Sequence, residues 1–199
     1  MRGTVYIKTY AAPPYDTKEV LRYAGVKDAS DEVVKLMQEC IDEVDGRLKY
    51  KVCYAEYPIE FCDEDINLTF ARISSDDLKK NLKDCESVVL FAATVGIELD
   101  RLIAKYVRIS PSKALMLQAI GAERIEALCN MFNKEITSQM KMFGKYTKPR
   151  FSPGYGDLPL EFQKSIFRVL DCSRKIGLSL NKTLLMSTTK SVTAIIGIV

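Results

Sequence analysis

One stretch limits the possible folds more than any other: Ser87 to Thr94, SVVLFAAT, is almost continuously apolar and β-prone. A strand of that composition belongs in the middle of a sheet and is buried. The apolar run reaches Gly96 and is far shorter than the roughly 20 residues a membrane-spanning helix needs. The start, MRGTVYIKTY, holds no long apolar segment and no small-residue cleavage pattern. These features predict a cytoplasmic protein with no membrane association.

The segments around that strand alternate between two periods. A short extended piece and an Ala-Pro-Pro turn in residues 1–16, then a short helix near Asp16 to Tyr23, read as an arm packed on the body, residues 1–29. Ser30 opens a helix carrying Val33, Met37, Cys40, Ile41 and Val44, which stops at Gly46. Tyr50–Phe61 and Ile66–Ile73 are β-rich and predict a hairpin around the acidic turn Asp63-Glu64-Asp65. Ser74-Ser75-Asp76-Asp77 reads as a capping box for a helix to about Lys83.

After Gly96 a helix carries Ile97, Leu99, Leu102, Ile103 and Tyr106. Ser110-Pro111 supplies an N-cap and a first-turn proline for a long helix to about Phe143. Its core stripe is Leu117, Ile120 or Gly121, Ile125, Leu128, Phe132, Ile136, Met140 and Phe143, with Glu126, Asn130, Asn133 and Thr137 on the flank. Pro159 opens a helix to about Cys172, and β-prone segments follow near Thr183–Ser187 and Ser191–Val199. Helices and strands mix without a βαβ rhythm, so the fold class is α+β, with a largely antiparallel central sheet and helices around it, in one domain over residues 1–199.

Composition narrows the chemistry. The chain has no histidine, which removes histidine bases, histidine-assisted nucleophiles and histidine metal ligands. Six cysteines, Cys40, Cys53, Cys62, Cys85, Cys129 and Cys172, include no C-x-x-C and mostly sit in apolar-periodic segments, so they read as buried reduced thiols rather than a metal site. With 29 basic and 26 acidic residues the net charge is +3, well short of the basic excess of nucleic-acid-binding domains. Gly154 and Gly156 form a lone G-x-G with no preceding strand, which does not support a dinucleotide site.

The loop KYTKPRFSPGYGD between two helices is the place for a ligand. Pro153-Gly154 favours a tight turn, Arg150 can fork onto a carboxylate, and Tyr155 offers a ring face and a hydroxyl. The same composition also suits a plain helix connector. Lys141, Lys145, Lys148 and Arg150 either steer an acidic partner or phosphate, or form the charged end of a helix. Asp157 and Glu161 read as first-turn acids of the Pro159 helix.

RFSPGY matches R-x-x-P-G-Y, and the segments DLPLEFQKSIFRVLD, KIGLSLNKTLLM and TTKSVTAIIG follow it in order. With VLFAATVGIELDRLIAKY and SKALMLQAIGAERIEALCN upstream, residues 85–199 resemble the activation (reactivation) domain of cobalamin-dependent methionine synthase in a stand-alone, short-chain form. The resemblance implies a domain that binds S-adenosylmethionine and presents it to the cob(II)alamin of a cobalamin-binding methionine synthase or corrinoid protein. A flavodoxin- or ferredoxin-type donor supplies the electron, and methyl transfer traps the cobalt as methylcobalamin. Cofactor and sulfonium carry the hard chemistry, so no catalytic side chain and no protein-bound metal are expected, and no methionine synthesis by this chain alone.

By the same resemblance Arg150 contacts the ligand carboxylate, Tyr155 matches the family tyrosine, and Pro153 and Gly154 shape the loop. Glu126 either meets the ligand's amino group or is a solvated helix face. Two departures are visible: no equivalent of the family's N-terminal Thr-Pro-Phe-Phe region and its aspartate before Ser30, and Ile195 and Ile196 where the family carries aromatics at the ligand and corrinoid surface. They motivate the alternative reading, a non-catalytic corrinoid-protein docking module with a degraded S-adenosylmethionine site.

Overall fold

A computed structural model describes residues 4–62 and 65–199. The chain order is β1 (Tyr6–Tyr10), α1 (Thr17–Tyr23), α2 (Asp31–Val44), β2 (Tyr50–Cys62), β3 (Asp65–Leu68), β4 (Ala71–Ser74), α3 (Asp76–Asn81), β5 (Ser87–Thr94), α4 (Glu98–Tyr106), α5 (Pro111–Lys141), α6 (Phe162–Leu170), α7 (Cys172–Ile176), β6 (Ser179–Leu180), β7 (Met186–Ser187) and β8 (Ser191–Ile198). This is an α+β fold.

Six strands form one sheet in the order β4-β3-β2-β5-β8, with β1 also paired to β2, and every pairing is antiparallel. The predicted arm is thus an edge strand: Tyr6 lies opposite Tyr54 and Tyr10 opposite Tyr50. All eight residues of β5 are buried, as its composition demands, because helices cover both faces of the sheet. Val89, Phe91 and Ala93 join Val52, Ala194 and Ile196 in a core under α2, α4 and α5. Val88, Leu90 and Ala92 join Cys53, Ala55, Tyr57 and Ile195 in a second core under α3, α6 and α7.

Local chemistry explains most boundaries. Asp16 caps α1 by accepting from the Lys18 and Glu19 amides at 3.1 Å, and Ser30 and Ser75 cap α2 and α3. Four expectations need correction. The stretch Ile66–Ile73 is two strands, because the chain turns at Thr69-Phe70 and β3 pairs with β4. Ser110 stands at the N-cap position of α5, yet its hydroxyl lies 3.4 Å from Ser112 Oγ and caps nothing.

The α5 helix ends at Lys141, so Phe143 leaves the core stripe and is 74% exposed. The helix expected from Pro159 to Cys172 starts at Phe162 and breaks at Asp171, whose left-handed backbone (φ 51°) separates α6 from α7. Residues Asp63 and Glu64 of the predicted acidic turn lie outside the described residues, but the strands they join pair with Cys62 opposite Asp65.

Five cysteines are buried, Cys62 is partly exposed, and none of the six is in a disulfide. Burial pushes the Cys40 and Cys129 thiols up to about 11 and about 12. Among the described residues no group of acids and cysteines is placed to hold a metal ion, and no helix is long and apolar enough to cross a membrane.

Candidate functional site

Three residues of the polar flank of α5, Glu126, Asn130 and Thr137, meet the 145–157 loop. The loop runs antiparallel along β8: the Tyr146 and Lys148 amides donate to Val199 O and Gly197 O at 2.9 Å. Phe151 then exchanges both backbone hydrogen bonds with Ile195, at 2.9 and 2.8 Å. Thr147 Oγ1 sits 2.7 Å from Thr137 Oγ1 on the flank. Four steps along the loop from Thr147 to Phe151 match three along β8 from Ile198 to Ile195, and past this irregularity Phe151 points into the core while Arg150 points at α5.

Arg150 meets two residues of that flank. Its Nη1 donates to Asn130 Oδ1 at 2.8 Å, and its Nη2 donates to Glu126 Oε2 in a salt bridge. The pairing brings together residues 24 positions apart in sequence. The Arg150 side chain is 22% exposed and that of Glu126 is 40% exposed. Adjacent opposite charges, both reachable from solvent, can accept an α-amino acid zwitterion, with the fork on its carboxylate and the carboxylate on its ammonium.

Beyond Arg150 the loop turns tightly. Pro153 is buried, and the Gly154 amide donates to Leu158 O at 2.9 Å. Gly154 has φ +86°, and a Cβ there would stand 3.1 Å from Leu160 Cδ1, so any other residue is strained at this turn. Tyr155 is 70% exposed at the tip, its ring edge-on to Phe151 with centroids 5.4 Å apart. Asp157 serves a different helix from the expected one: it accepts from Ser75 Oγ and from the Asp76 amide at 2.7 Å, closing the start of α3. The Ser75 hydrogen bond holds its carboxyl below the ordinary 3.8.

On the other side of Glu126 and Asn130 a cleft of about 380 Å³ opens between α5 and α1. Its α5 wall includes Glu123, Glu126, Asn130 and Lys134, at helical spacing, and facing them are Pro13, Pro14, Asp16 and Glu19. Glu126 and Asn130 therefore line the cleft and hold Arg150 at once. Sequence reasoning finds no ligand-facing acid before Ser30, yet the fold carries Asp16 into this wall. The size lies within the range of small-molecule sites, and the wall combines Asp16 and Lys134 with three ion-paired carboxylates, Glu19 with Arg22, Glu123 with Arg124 and Glu126 with Arg150.

Ile195 and Ile196 are interior, at 0% and 2% exposure, one in each core, so their side chains present no surface. Ile195 acts on the loop through its backbone. The basic run does not form one patch either: Lys145 pairs with Glu86 at 2.9 Å and Arg150 with Glu126. Sequence reasoning also misses Glu123 and Arg124, the two buried charged residues among those described. The signal was available, since Arg124 lies four residues from both Ile120 and Leu128 on the core stripe.

Comparison of the sequence with curated proteins finds no match. Among solved structures the chain is similar to one described as "Crystal Structure of the MetH Reactivation Domain bound to AdoHcy", with TM-score 0.71 and 14% identity, over 98% of this chain and 78% of that one. At that identity the likeness establishes the fold. Residues 69–198 match the family described as vitamin B12 dependent methionine synthase, activation domain. That match spans the central strand, the long helix, the Arg150 loop and β8, and the chain belongs to this family of activation domains.

Proposed function

We propose that this chain is a stand-alone reactivation component that binds S-adenosylmethionine for the reductive methylation of a partner's cob(II)alamin. The observation that carries the reading is the Arg150–Glu126 pair at the edge of the cleft between α5 and α1, with Arg150 on the loop that bears R-x-x-P-G-Y. The similar MetH structure is described as bound to AdoHcy, which shares the amino-acid and adenosyl parts of S-adenosylmethionine. The partner is a cobalamin-binding methionine synthase or corrinoid protein, and a flavodoxin- or ferredoxin-type protein is the reductant.

S-Adenosylmethionine supplies an electrophilic methyl group on a sulfonium, and this chain's residues bind and orient it. Arg150 gives the ligand carboxylate two parallel N–H donors, exchanging its bond to Glu126 for one to the ligand. Glu126, so released, accepts from the ligand's ammonium. Asp16, on the wall opposite Glu126, adds a carboxylate on the ammonium side. Pro153 and Gly154 fix the turn that presents the exposed Tyr155 ring as an apolar, quadrupolar face.

A thermal melt tests the reading. Ligand at 100 times its dissociation constant adds about 2.7 kcal/mol, which for a chain of this size is a rise of about 5–10 °C. The rise should shrink strongly in Arg150→Ala. The second reading, a docking module without a ligand, keeps Arg150 and Glu126 as a purely structural pair and predicts partner binding with no shift in either protein.

A further inference from the structure

Burying a charge is unfavourable unless it is paired and hydrogen-bonded, so Glu123 and Arg124 need an explanation. Their surroundings supply one. Arg124 has no exposed surface; its Nε and Nη2 bind the Glu123 carboxylate, its Nη1 donates to Pro13 O, and its Nη2 donates to Pro14 O at 2.8 Å. The Tyr15 ring lies on the guanidinium, with Cζ 3.8 Å from the ring centroid. Glu123 Oε1 accepts from the Asp16 amide at 3.3 Å.

Four consecutive residues, Pro13 to Asp16, are therefore gripped by two neighbours on α5. The prolines suit the grip: they have no N–H to satisfy, and their restricted φ narrows the directions in which their carbonyls point. Apolar side chains could hold an arm against a helix without the desolvation cost, but they would not fix its register. A fork with several acceptors at set positions does fix it. Pro13, Pro14 and Asp16 are also the cleft wall opposite Glu126.

We infer that the Glu123–Arg124 pair is a latch that sets the Pro13–Asp16 arm in register as the outer wall of the cleft, with Arg124 and Tyr15 as positioning residues for the ligand. The ligand part rests on the function proposed above; the latch itself does not. In this account Arg124 touches no ligand and acts through the arm. Lysine cannot replace it, because a single ammonium lacks the planar fork that reaches Glu123 and both carbonyls.

The test combines amide hydrogen exchange over residues 11–17 with calorimetric titration of S-adenosylmethionine into the full chain. It compares wild type, Glu123→Gln/Arg124→Met, which removes both buried charges together, and Tyr15→Leu, which leaves the pair intact. Exchange in the arm should rise by about tenfold or more in the double variant and less in Tyr15→Leu, while β5 amides stay protected. Affinity should fall by about tenfold with the arm. Unchanged arm exchange overturns the latch, and a loosened arm with affinity within about twofold of wild type overturns its role in the site. Wild type that takes up no S-adenosylmethionine sinks the proposed function, and exchange alone then decides the latch.

Discussion

Replacing Phe151 with alanine removes the anchor of the loop that carries Arg150. The ring is buried to 8% exposure in the core under α6 and α7, and it supports the exposed Tyr155 edge-on. Phenylalanine-to-alanine changes in cores cost about 3–5 kcal/mol, and a loop residue that can partly collapse belongs at the lower end, about 3 kcal/mol. For 199 residues that lowers the melting temperature by about 6–12 °C. In urea, with a slope of about 2 kcal/mol per molar, the midpoint falls by about 1.5 M. Leucine retains most of the apolar surface and should cost about 1 kcal/mol. The backbone bonds to Ile195 survive both changes, so β8 keeps its partner while the loop loses its grip on the core. A loss below about 1 kcal/mol for alanine, or equal losses for alanine and leucine, would show that the ring does not hold the loop.

Other features give their own tests. A thiol reagent at mildly alkaline pH should label the partly exposed Cys62 in the folded protein; Cys40, Cys53, Cys85, Cys129 and Cys172 should react only on unfolding. Rapid native labelling of a second thiol would contradict the packing of both cores. Asp157 has a folded pKa depressed below 3.8, so it contributes stability that is present above that value and is lost as pH falls through the folded one. Asp157→Asn should therefore melt below wild type at neutral pH, and the gap should close as pH falls through the depressed folded value. A gap that persists in acid would mean that the carboxylate charge is not what closes the start of α3.

Where local chemistry decides structure, the sequence was informative. Unbroken apolarity placed β5 at the centre, Asp16, Ser30 and Ser75 marked three helix starts, and the Pro-Gly of RFSPGY marked a turn in the loop that also holds Arg150. Glu126 stood on the helix flank as a candidate, and the fold brings it to Arg150. What stayed hidden depends on contacts distant in sequence. Nothing local shows that Pro13 and Asp16 meet Glu123 and Arg124 across more than a hundred residues. Asp157, two residues before Pro159, reads as a first-turn acid of the helix that follows it, and only the tertiary fold gives it to α3. The family resemblance places Ile195 and Ile196 at a ligand surface, but a strand covered on both faces buries successive residues alike.

The central claim is that Arg150 binds the carboxylate of S-adenosylmethionine, and a cycle between residue and ligand tests it most directly. Calorimetric titration of wild type and Arg150→Ala, each with S-adenosylmethionine and with its decarboxylated form, separates the carboxylate contact from all others. A hydrogen bond to a charged group is worth about 1.5–3 kcal/mol, so wild type should prefer the intact ligand by about 10- to 100-fold. Arg150→Ala should bind the two forms about equally. The same preference in both proteins, or no binding of either ligand by wild type, would contradict the account.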